Sequence, residues 1–424
     1  MSGRQDGTSR VRTRAIVRAV ALLALLGPGC SLDRRVEVCS ACRDGSMQDA
    51  GDDAANPVDA DVDGGPDGGT SGDGGADGGQ DAFMPGPLLD YGGCTFARAS
   101  AATWATSPGV VQSFASGARR LLVDGSYVTE GPTTNLLPSA SPTSLGHNTH
   151  ANIDPSRVEA PDGTASALRV DFMGNGDTWL TAATHPSGGR YAASAYVRGN
   201  GRVYLGLFSS GIGASRLARP ITATSAWTRF DVTGSLSGML DTLDVGPAGY
   251  SDPNLDAGVY ELWGWQVETL PFPTSFVSPE SAGASRAPDE MSCAVPAAMG
   301  SAPWSIVVAS EAASTEISTG MAMTILETEG GQRLQLRNDG AGVVVVVSSG
   351  VASATLGPLT FARLESITIS VDPRTGSVRA SSASGSASGM VAGFVWGGAN
   401  MSVGHAIGAP GTDHFFGVLS APRP

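Results

Sequence analysis

Apolar and polar residues alternate in short runs along most of the chain, and this pattern predicts strands rather than helices. From Asp90 onward hardly any segment has helical periodicity, and Gly, Pro, Ser and Asn residues separate the runs at intervals typical of β-sandwiches. Val203, Leu205 and Leu207 alternate with other residues, so one face of their strand is expected to be buried. The first group of predicted strands covers residues 167–172, 179–183, 190–197, 202–208, 227–232, 241–245 and 259–267.

A second group of alternating runs begins near Ala302. One of them, from Val343 to Val347, is apolar at every position, as expected for a strand buried on both faces in a core between two sheets. The sequence therefore predicts an all-β protein with two β-sandwich (jelly-roll) domains. The strands predicted in the second group cover residues 304–309, 321–327, 333–337, 343–348, 366–371, 378–380, 390–394 and 402–404.

The N-terminus has the features of an export signal. Several arginines precede the apolar run 19–26, which is too short to span a bilayer, and Gly27-Pro28-Gly29-Cys30 follows at once. This arrangement resembles a bacterial lipoprotein signal, which implies a signal peptide over residues 1–29 and acylation of Cys30. Ser31 would by the same resemblance favour the outer membrane, so we expect an exported protein anchored by lipid to the outer membrane or cell surface. The alternative is ordinary cleavage that leaves Cys30 as a free thiol.

An acidic segment follows the expected anchor. Residues 47–81 contain ten aspartates and no basic residue, so the segment cannot bury enough apolar surface to offset its ordering entropy. We therefore expect residues 30–85 to be a disordered Asp/Gly-rich tether. The tether accounts for much of the net charge of −14, which leaves the remainder only mildly acidic and disfavours nucleic acid as a partner.

Cysteine usage agrees with export. After acylation of Cys30, four of the five cysteines remain, an even number in an oxidising compartment. Cys94 and Cys293 flank the first group of strands, and we predict a disulfide between them that closes a loop of about 200 residues. Cys39 and Cys42 are expected to form a local disulfide, because no βαβ pattern surrounds them as a redox motif would require.

Five segments in order along the chain carry a family resemblance: TFARASAATW from Thr95, EGPTTNLL from Glu130, WGWQVE from Trp263, FPTSF from Phe272 and SRAPD from Ser285. The set resembles landmarks of phage tail and head-spike proteins. In that family a jelly roll like a carbohydrate-binding module is followed by a concanavalin A-like (laminin-G-type) lectin sandwich. The resemblance covers about residues 94–419, although a threonine stands at position 133, where the family tends to have arginine.

The resemblance implies a division of the exported chain into three parts. Residues 86–134 would be an N-terminal strand segment that packs on the sandwiches. Residues 135–285 would form the carbohydrate-binding-module-like sandwich, and residues 286–424 the concanavalin A-like one. We therefore expect carbohydrate or polysaccharide as the partner, besides the membrane that the lipid anchor contacts.

Motifs for catalysis are absent from the sequence. It contains no H-E-x-x-H, G-x-S-x-G or G-x-x-x-x-G-K-[ST] pattern, and no residue is assigned a catalytic role. Glycosidases need two carboxylates on either side of the sugar bond. Glu327 and Glu329 lie together, but we interpret them as a solvated strand edge. The sequence therefore predicts a protein that is not an enzyme.

Sugar binding by β-sandwiches needs aromatic rings that stack on pyranose faces, together with a few polar groups. Trp179, Tyr204 and Trp227 are the predicted glycan-binding residues. Trp263 and Trp265 are predicted to share one strand face with Val259 and Val267, and so to belong to the core. No cofactor is required, but Asp171, Asp177 and Glu261 are the candidate ligands of a structural calcium ion, as the family resemblance implies.

The expected function is glycan or polysaccharide binding at the cell surface without catalysis. One alternative is a structural or adhesion module in which both sandwiches contact only protein partners. A second alternative is a degenerate polysaccharide-cleaving enzyme. The sequence does not identify the glycan.

Overall fold

A computed structural model describes the chain from Leu88 to Pro424 except for short internal gaps. The predicted signal peptide, the lipidation site Cys30, the acidic tether and the pair Cys39 and Cys42 all lie outside the described residues. No helix in the described part of the chain is long and apolar enough to cross a membrane. The described ranges are 88–107, 109–138, 145–174, 176–211, 214–247, 255–277, 284–350, 352–408 and 413–424.

The first half of the described chain is built from short and long strands. A 3-10 helix, Tyr91–Gly93, precedes them. In chain order the strands are β1 (Thr95–Ala97), β2 (Ala102–Ser107), β3 (Val110–Phe114), β4 (Tyr127–Thr129), β5 (Thr133–Thr134), β6 (Gly146–His147), β7 (Ala151–Glu159), β8 (Ala165–Phe172), β9 (Thr178–Thr181), β10 (Ser187–Arg198), β11 (Gly201–Ser210), β12 (Arg216–Ala223), β13 (Thr228–Gly246) and β14 (Gly258–Glu268).

The second half has the same character, with one short helix, α1 (Ala297–Ser301). The all-β class predicted from the alternation is thereby confirmed. The remaining strands are β15 (Ser285–Arg286), β16 (Glu290–Ala294), β17 (Trp304–Ser310), β18 (Ala322–Thr328), β19 (Arg333–Asn338), β20 (Val343–Ser348), β21 (Ser353–Leu359), β22 (Ser366–Asp372), β23 (Ser377–Ser382), β24 (Gly385–Met390), β25 (Asn400–Val403) and β26 (Gly417–Leu419).

The largest sheet is antiparallel and nearly closed on itself like a barrel. Its strand order is β12-β11-β13-β10-β14-β8-β7, with β9 paired to β13 and β6 paired to β9. Strand β13 is 19 residues long. Its first part pairs with β10 and its second part with β11 and β9, so this one strand belongs to both parts of the barrel-like sheet. Alternate residues such as Leu205, Leu207, Leu243 and Val245 point inward and form what we call the first core.

Two further antiparallel sheets enclose what we call the second core. Their orders are β1-β16-β25-β18-β19-β20-β21 and β24-β23-β22-β17-β26-β4. Both sheets contribute to one cluster of buried residues, which includes Trp304 of β17 and Val345 of β20. All five residues from Val343 to Val347 are buried, as their uninterrupted apolar run predicts.

Residues near the start of the described chain join the sheets of the second core. Strand β1 pairs with β16, and β4 pairs with β26. Cys94, directly before β1, forms a disulfide with Cys293 of β16, at a sequence separation of 199. This bond confirms the pairing predicted from the two positions.

Several strands differ from their predicted bounds. The predicted strands 227–232 and 241–245 are parts of the single strand β13. The strand predicted at 390–394 is wrong, because β24 ends at Met390 and a turn follows. After the N-terminal segment, strands β6, β7, β12, β15, β16, β21, β24 and β26 were not predicted from alternation. β24 consists almost entirely of Ser, Ala and Gly, which gives little apolar alternation to detect.

A β-bulge in β14 corrects the predicted orientation of two tryptophans. The pairing register between β10 and β14 shifts beside Gly264, whose φ of +65° is accessible mainly to glycine. Because the bulge adds one residue, Trp265 points into the first core while Trp263 lies on the opposite face against Tyr196. Both rings are buried as expected, but they do not share a face, and Val259 is exposed.

The segments that carry the family resemblance meet in a buried network of charged side chains. Arg120 forms ion pairs with both Glu130 and Asp289, and Arg98 contacts the Asp289 carboxylate at 2.9 Å. Arg286 lies 3.0 Å from Glu130. Burial alone would raise the pKa of Glu130, but the nearby Arg286 and Arg120 guanidinium groups outweigh it and lower this pKa to about 2. Arg120, which lies between two landmark segments, and the landmark residues that it contacts therefore hold distant segments together.

Hydrogen bonds to a second buried carboxylate, that of Glu268, explain how the fold accommodates a threonine at position 133. The Thr133 hydroxyl donates a hydrogen bond of 2.7 Å to Glu268, which is fully buried. Thr274 donates two more to the same carboxylate, one from its hydroxyl and one from its backbone N–H. Neutral donors thus satisfy Glu268 without an arginine at position 133.

Candidate functional site

Aromatic and charged side chains share the outer face of the barrel-like sheet, opposite the first core. Antiparallel pairing places Trp179 of β9 beside Asp244 of β13, and Asp244 beside Gly206 of β11. Residues two positions apart on a strand point to the same side, so Tyr204 and Phe208 lie on this face as well. We call this surface the Trp179 face; it consists of Asp177, Trp179, Tyr204, Phe208, Arg216 and Asp244.

Trp179 is held in place with part of its ring exposed. The side chain is half-buried, whereas its neighbours Thr178 and Leu180 are buried. A Cβ atom on Gly146 of β6 would lie 2.2 Å from the indole Nε1, so only glycine lets the ring lie this close to the backbone. A supported and partly open indole can stack on the apolar face of a sugar.

Two buried carboxyls lie next to this ring. Asp177 and Asp244 are 9% and 8% exposed, and the Tyr204 hydroxyl donates a 2.8 Å hydrogen bond to Oδ2 of Asp177. The Oδ1 atoms of both aspartates have no hydrogen-bond partner among the described residues. Each therefore retains hydrogen-bonding capacity that the described fold does not use.

Burial changes the protonation of both carboxyls. It raises the pKa of Asp177 to about 7, although the hydrogen bond from Tyr204 acts in the other direction. It raises the pKa of Asp244 to about 8, opposed by a hydrogen bond from Thr242 and assisted by the carboxylate of Asp177. Both groups therefore change charge near neutral pH, which is typical of functional sites.

Phe208 and Arg216 form the other end of the Trp179 face. Phe208 is partly exposed, and the Arg216 guanidinium lies 5.4 Å from the centre of its ring. Arg216 itself is exposed at the start of β12. The face thus combines two aromatic rings open to solvent with a cation and two titratable carboxyls.

The other two predicted glycan-binding rings are not open to a ligand. Tyr204 lies on the Trp179 face but is fully buried, so its contribution there is the hydrogen bond to Asp177. Trp227 is 6% exposed, and the Arg198 guanidinium lies 4.7 Å from the centre of its ring. Because the cation covers this ring, Trp227 has no face on which a sugar could stack. Trp179 alone of the three rings is accessible.

The structure does not bring the candidate calcium ligands together. Asp171 is exposed on β8, Asp177 contacts Tyr204, and Glu261 forms an ion pair with Arg198. Across the described residues, no group of three or more His, Cys, Asp or Glu side chains is arranged to hold a metal ion. Glu327 also differs from expectation: it is buried and paired with Arg333, because a backbone N–H from Ile407 and this guanidinium enclose it.

Sequence reasoning missed three residues of the Trp179 face, namely Asp244, Phe208 and Arg216. Asp244 lies between Leu243 and Val245 in a predicted strand, so alternation could have placed it opposite the core. Its neighbours across the sheet depend on strand register, which this alternation does not determine. The site is therefore visible only in the folded chain.

Comparison with known proteins adds no identification. No protein-family model matches the chain, and no curated protein sequence matches it. The function is therefore argued from the residues of the Trp179 face and from the chemistry that they can perform.

Proposed function

We propose that the protein is a lipid-anchored cell-surface protein that binds a glycan or polysaccharide on the Trp179 face and catalyses no reaction. The observation that carries this proposal is the pair of buried carboxyls, Asp177 and Asp244, beside a partly exposed indole ring. Burying a carboxyl with unused hydrogen-bonding capacity destabilises a fold. Such a feature outside the core is accounted for by a ligand that completes its hydrogen bonds.

The chemistry of the face suits a sugar ring. The C–H groups of a pyranose would lie on the exposed part of Trp179, where burial of apolar surface favours contact. Asp244 is directly across the strand pair from Trp179 and would accept a hydrogen bond from a sugar hydroxyl. Phe208 would extend the apolar surface toward a second sugar unit.

The finer assignment of the fold belongs to this proposal. The barrel-like sheet would correspond to a jelly roll like a carbohydrate-binding module, and the sheets of the second core to a concanavalin A-like sandwich. The order of the five landmark segments supports this assignment, and several of them meet in the Arg120 network. Cys30 and the acidic tether would hold both at a distance from the membrane.

A glycan array tests the proposed function. The wild-type protein, screened with and without calcium, is expected to bind at least one class of oligosaccharide, and Asp244→Ala, which removes the hydrogen-bonding group, is expected to lose most of that signal. Asp171→Ala, which changes an exposed aspartate of the same sheet, serves as the matched control. An array without any bound glycan would favour the structural or adhesion module, whereas release of reducing ends from a bound glycan would favour the degenerate enzyme.

The anchor is tested separately. A palmitate analogue supplied to cells is expected to label the wild-type protein and not the Cys30→Ala variant, because acylation requires the thiol. Label that survives the substitution would contradict lipidation at Cys30, without bearing on the glycan site.

A further inference from the structure

A row of alternating charges crosses four strands of the barrel-like sheet, away from the Trp179 face. The pairing register places Asp154 of β7 beside Arg169 of β8, Arg169 beside Glu261 of β14, and Glu261 beside Arg198 of β10. Cross-strand pairs of opposite charge stabilise a sheet modestly. The two arginines of this row nevertheless differ in how the fold holds them.

Arg198 is fixed on two sides. Its guanidinium stacks on the buried ring of Trp227 at 4.7 Å, and its Nε donates to Oε2 of Glu261. Neither Nη1 nor Nη2 donates a hydrogen bond to any described residue. The end of the guanidinium that suits bidentate recognition is therefore oriented in advance and unoccupied.

Arg198 is one of the residues that line a cleft of about 390 Å³. Arg169 lies on the other side of Glu261, and its exposed side chain makes no ion pair or hydrogen bond with the described residues. The amide of Asn200 and the hydroxyl of Ser225 add neutral hydrogen-bonding groups. The residues that line the cleft are Arg169, Arg198, Gly199, Asn200, Ser225, Val259 and Glu261.

We propose that this cleft binds the carboxylate of an acidic sugar unit, such as a uronate in a polysaccharide. Nη1 and Nη2 of Arg198 would hold the two carboxylate oxygens, and Arg169 would supply a second positive charge. Trp227 and Glu261 act as positioning residues because they fix the guanidinium of Arg198. The proposal goes beyond the Trp179 face, since none of the residues that line the cleft belongs to that face.

The charges of the cleft favour a singly charged group. Among the residues that line the cleft, two arginines face one glutamate, which leaves one positive charge in excess; Asp154, next to Arg169 in the row, does not line the cleft. A carboxylate with one negative charge matches this excess better than a phosphate with up to two. Val259, which is 43% exposed at the cleft, offers apolar contact to the ring that carries the carboxylate.

Calorimetry with an oligogalacturonate of defined length tests the cleft in the full chain. Wild type is expected to bind the oligomer, and the fully methyl-esterified oligomer is expected to bind about tenfold more weakly because it cannot form charge-assisted hydrogen bonds. Monomeric galacturonate and acetate, run in parallel, separate a sugar unit from a free carboxylate. Binding of acetate as strong as that of the oligomer would contradict the sugar assignment.

Two variants and two controls locate the binding. Arg169→Gln and Arg198→Gln are each expected to weaken oligogalacturonate binding about tenfold, and rising salt should weaken wild-type binding. Arg374→Gln, which removes an exposed arginine next to β22, should bind as wild type. Trp179→Ala should also retain this binding, so failure of the cleft and failure of the Trp179 face are distinguishable.

The proposal is overturned if wild type does not bind the acidic oligomer, or if the ester binds equally well. It is also overturned if Arg169→Gln binds as wild type. Because Arg169 is exposed and makes no ion pair with the described residues, this variant keeps the test valid even if Arg198→Gln fails to fold.

Discussion

Replacing Asp244 with asparagine should stabilise the protein at alkaline pH. The substitution keeps the size of the side chain but removes a carboxyl that is 8% exposed and whose pKa is raised to about 8 by burial. Because the folded state binds this proton more tightly than the unfolded chain, wild-type stability should fall as pH rises from about 4 to about 8. Asparagine does not titrate and should abolish this part of the pH dependence.

The magnitude follows from the two pKa values. The unfolded value is 3.8 and the folded value about 8. A difference of about 4 pKa units corresponds to a destabilisation of the wild-type fold by at most about 6 kcal/mol. This destabilisation is fully present above about pH 8 and absent below about pH 4. Relaxation around the charged carboxyl reduces it, so we expect Asp244→Asn to gain about 2 to 4 kcal/mol over wild type at pH 9.

Urea unfolding of both proteins at pH 5, 7 and 9 measures this difference. The gain of Asp244→Asn over wild type should increase steadily with pH, because only the wild-type side chain loses a proton over this range. A gain that stays constant across the three pH values, or a loss at pH 9, would refute the argument that a buried titrating carboxyl destabilises the fold.

Three further substitutions test the architecture by urea unfolding. Cys293→Ala opens the disulfide to Cys94 and should cost up to about 5 kcal/mol, because it releases a long loop in the unfolded chain; unchanged stability would contradict this. Asp289→Ala leaves the buried guanidinium groups of Arg98 and Arg120 without this partner and should cost about 3 to 5 kcal/mol, so a loss below 1 kcal/mol would contradict the role of the network. Gly264→Ala should cost about 1 to 3 kcal/mol, because φ is +65° and the new Cβ would lie 2.9 Å from Tyr196; a neutral effect would contradict the bulge.

The sequence predicts those features that depend on local alternation or on the position of a residue along the chain. Val343 to Val347 form a buried strand because an uninterrupted apolar run suits a core between two sheets. The disulfide between Cys94 and Cys293 was predictable because the two cysteines flank one group of strands. Neither inference requires knowledge of how strands pair.

Features that depend on register could not be predicted. Trp263 and Trp265 are two residues apart, and strict alternation gives them one face; the bulge at Gly264 separates them. Trp179 and Asp244 become neighbours only when β9 pairs with β13. The first case turns on a shift of a single residue, which reverses the side of a sheet on which a side chain lies. The second depends on which strands pair, which local alternation does not determine.

The central claim is that a glycan binds on Trp179, and calorimetry with the strongest ligand from the array tests it most directly. We expect Trp179→Ala to bind that ligand at least about tenfold more weakly than wild type, because the stacking surface is lost. Loss of a ring that packs against Gly146 should lower the stability of the variant, so a cooperative unfolding transition is used to show that it is folded under the conditions of the binding measurement. Equal affinity of a folded Trp179→Ala protein and wild type would contradict the account.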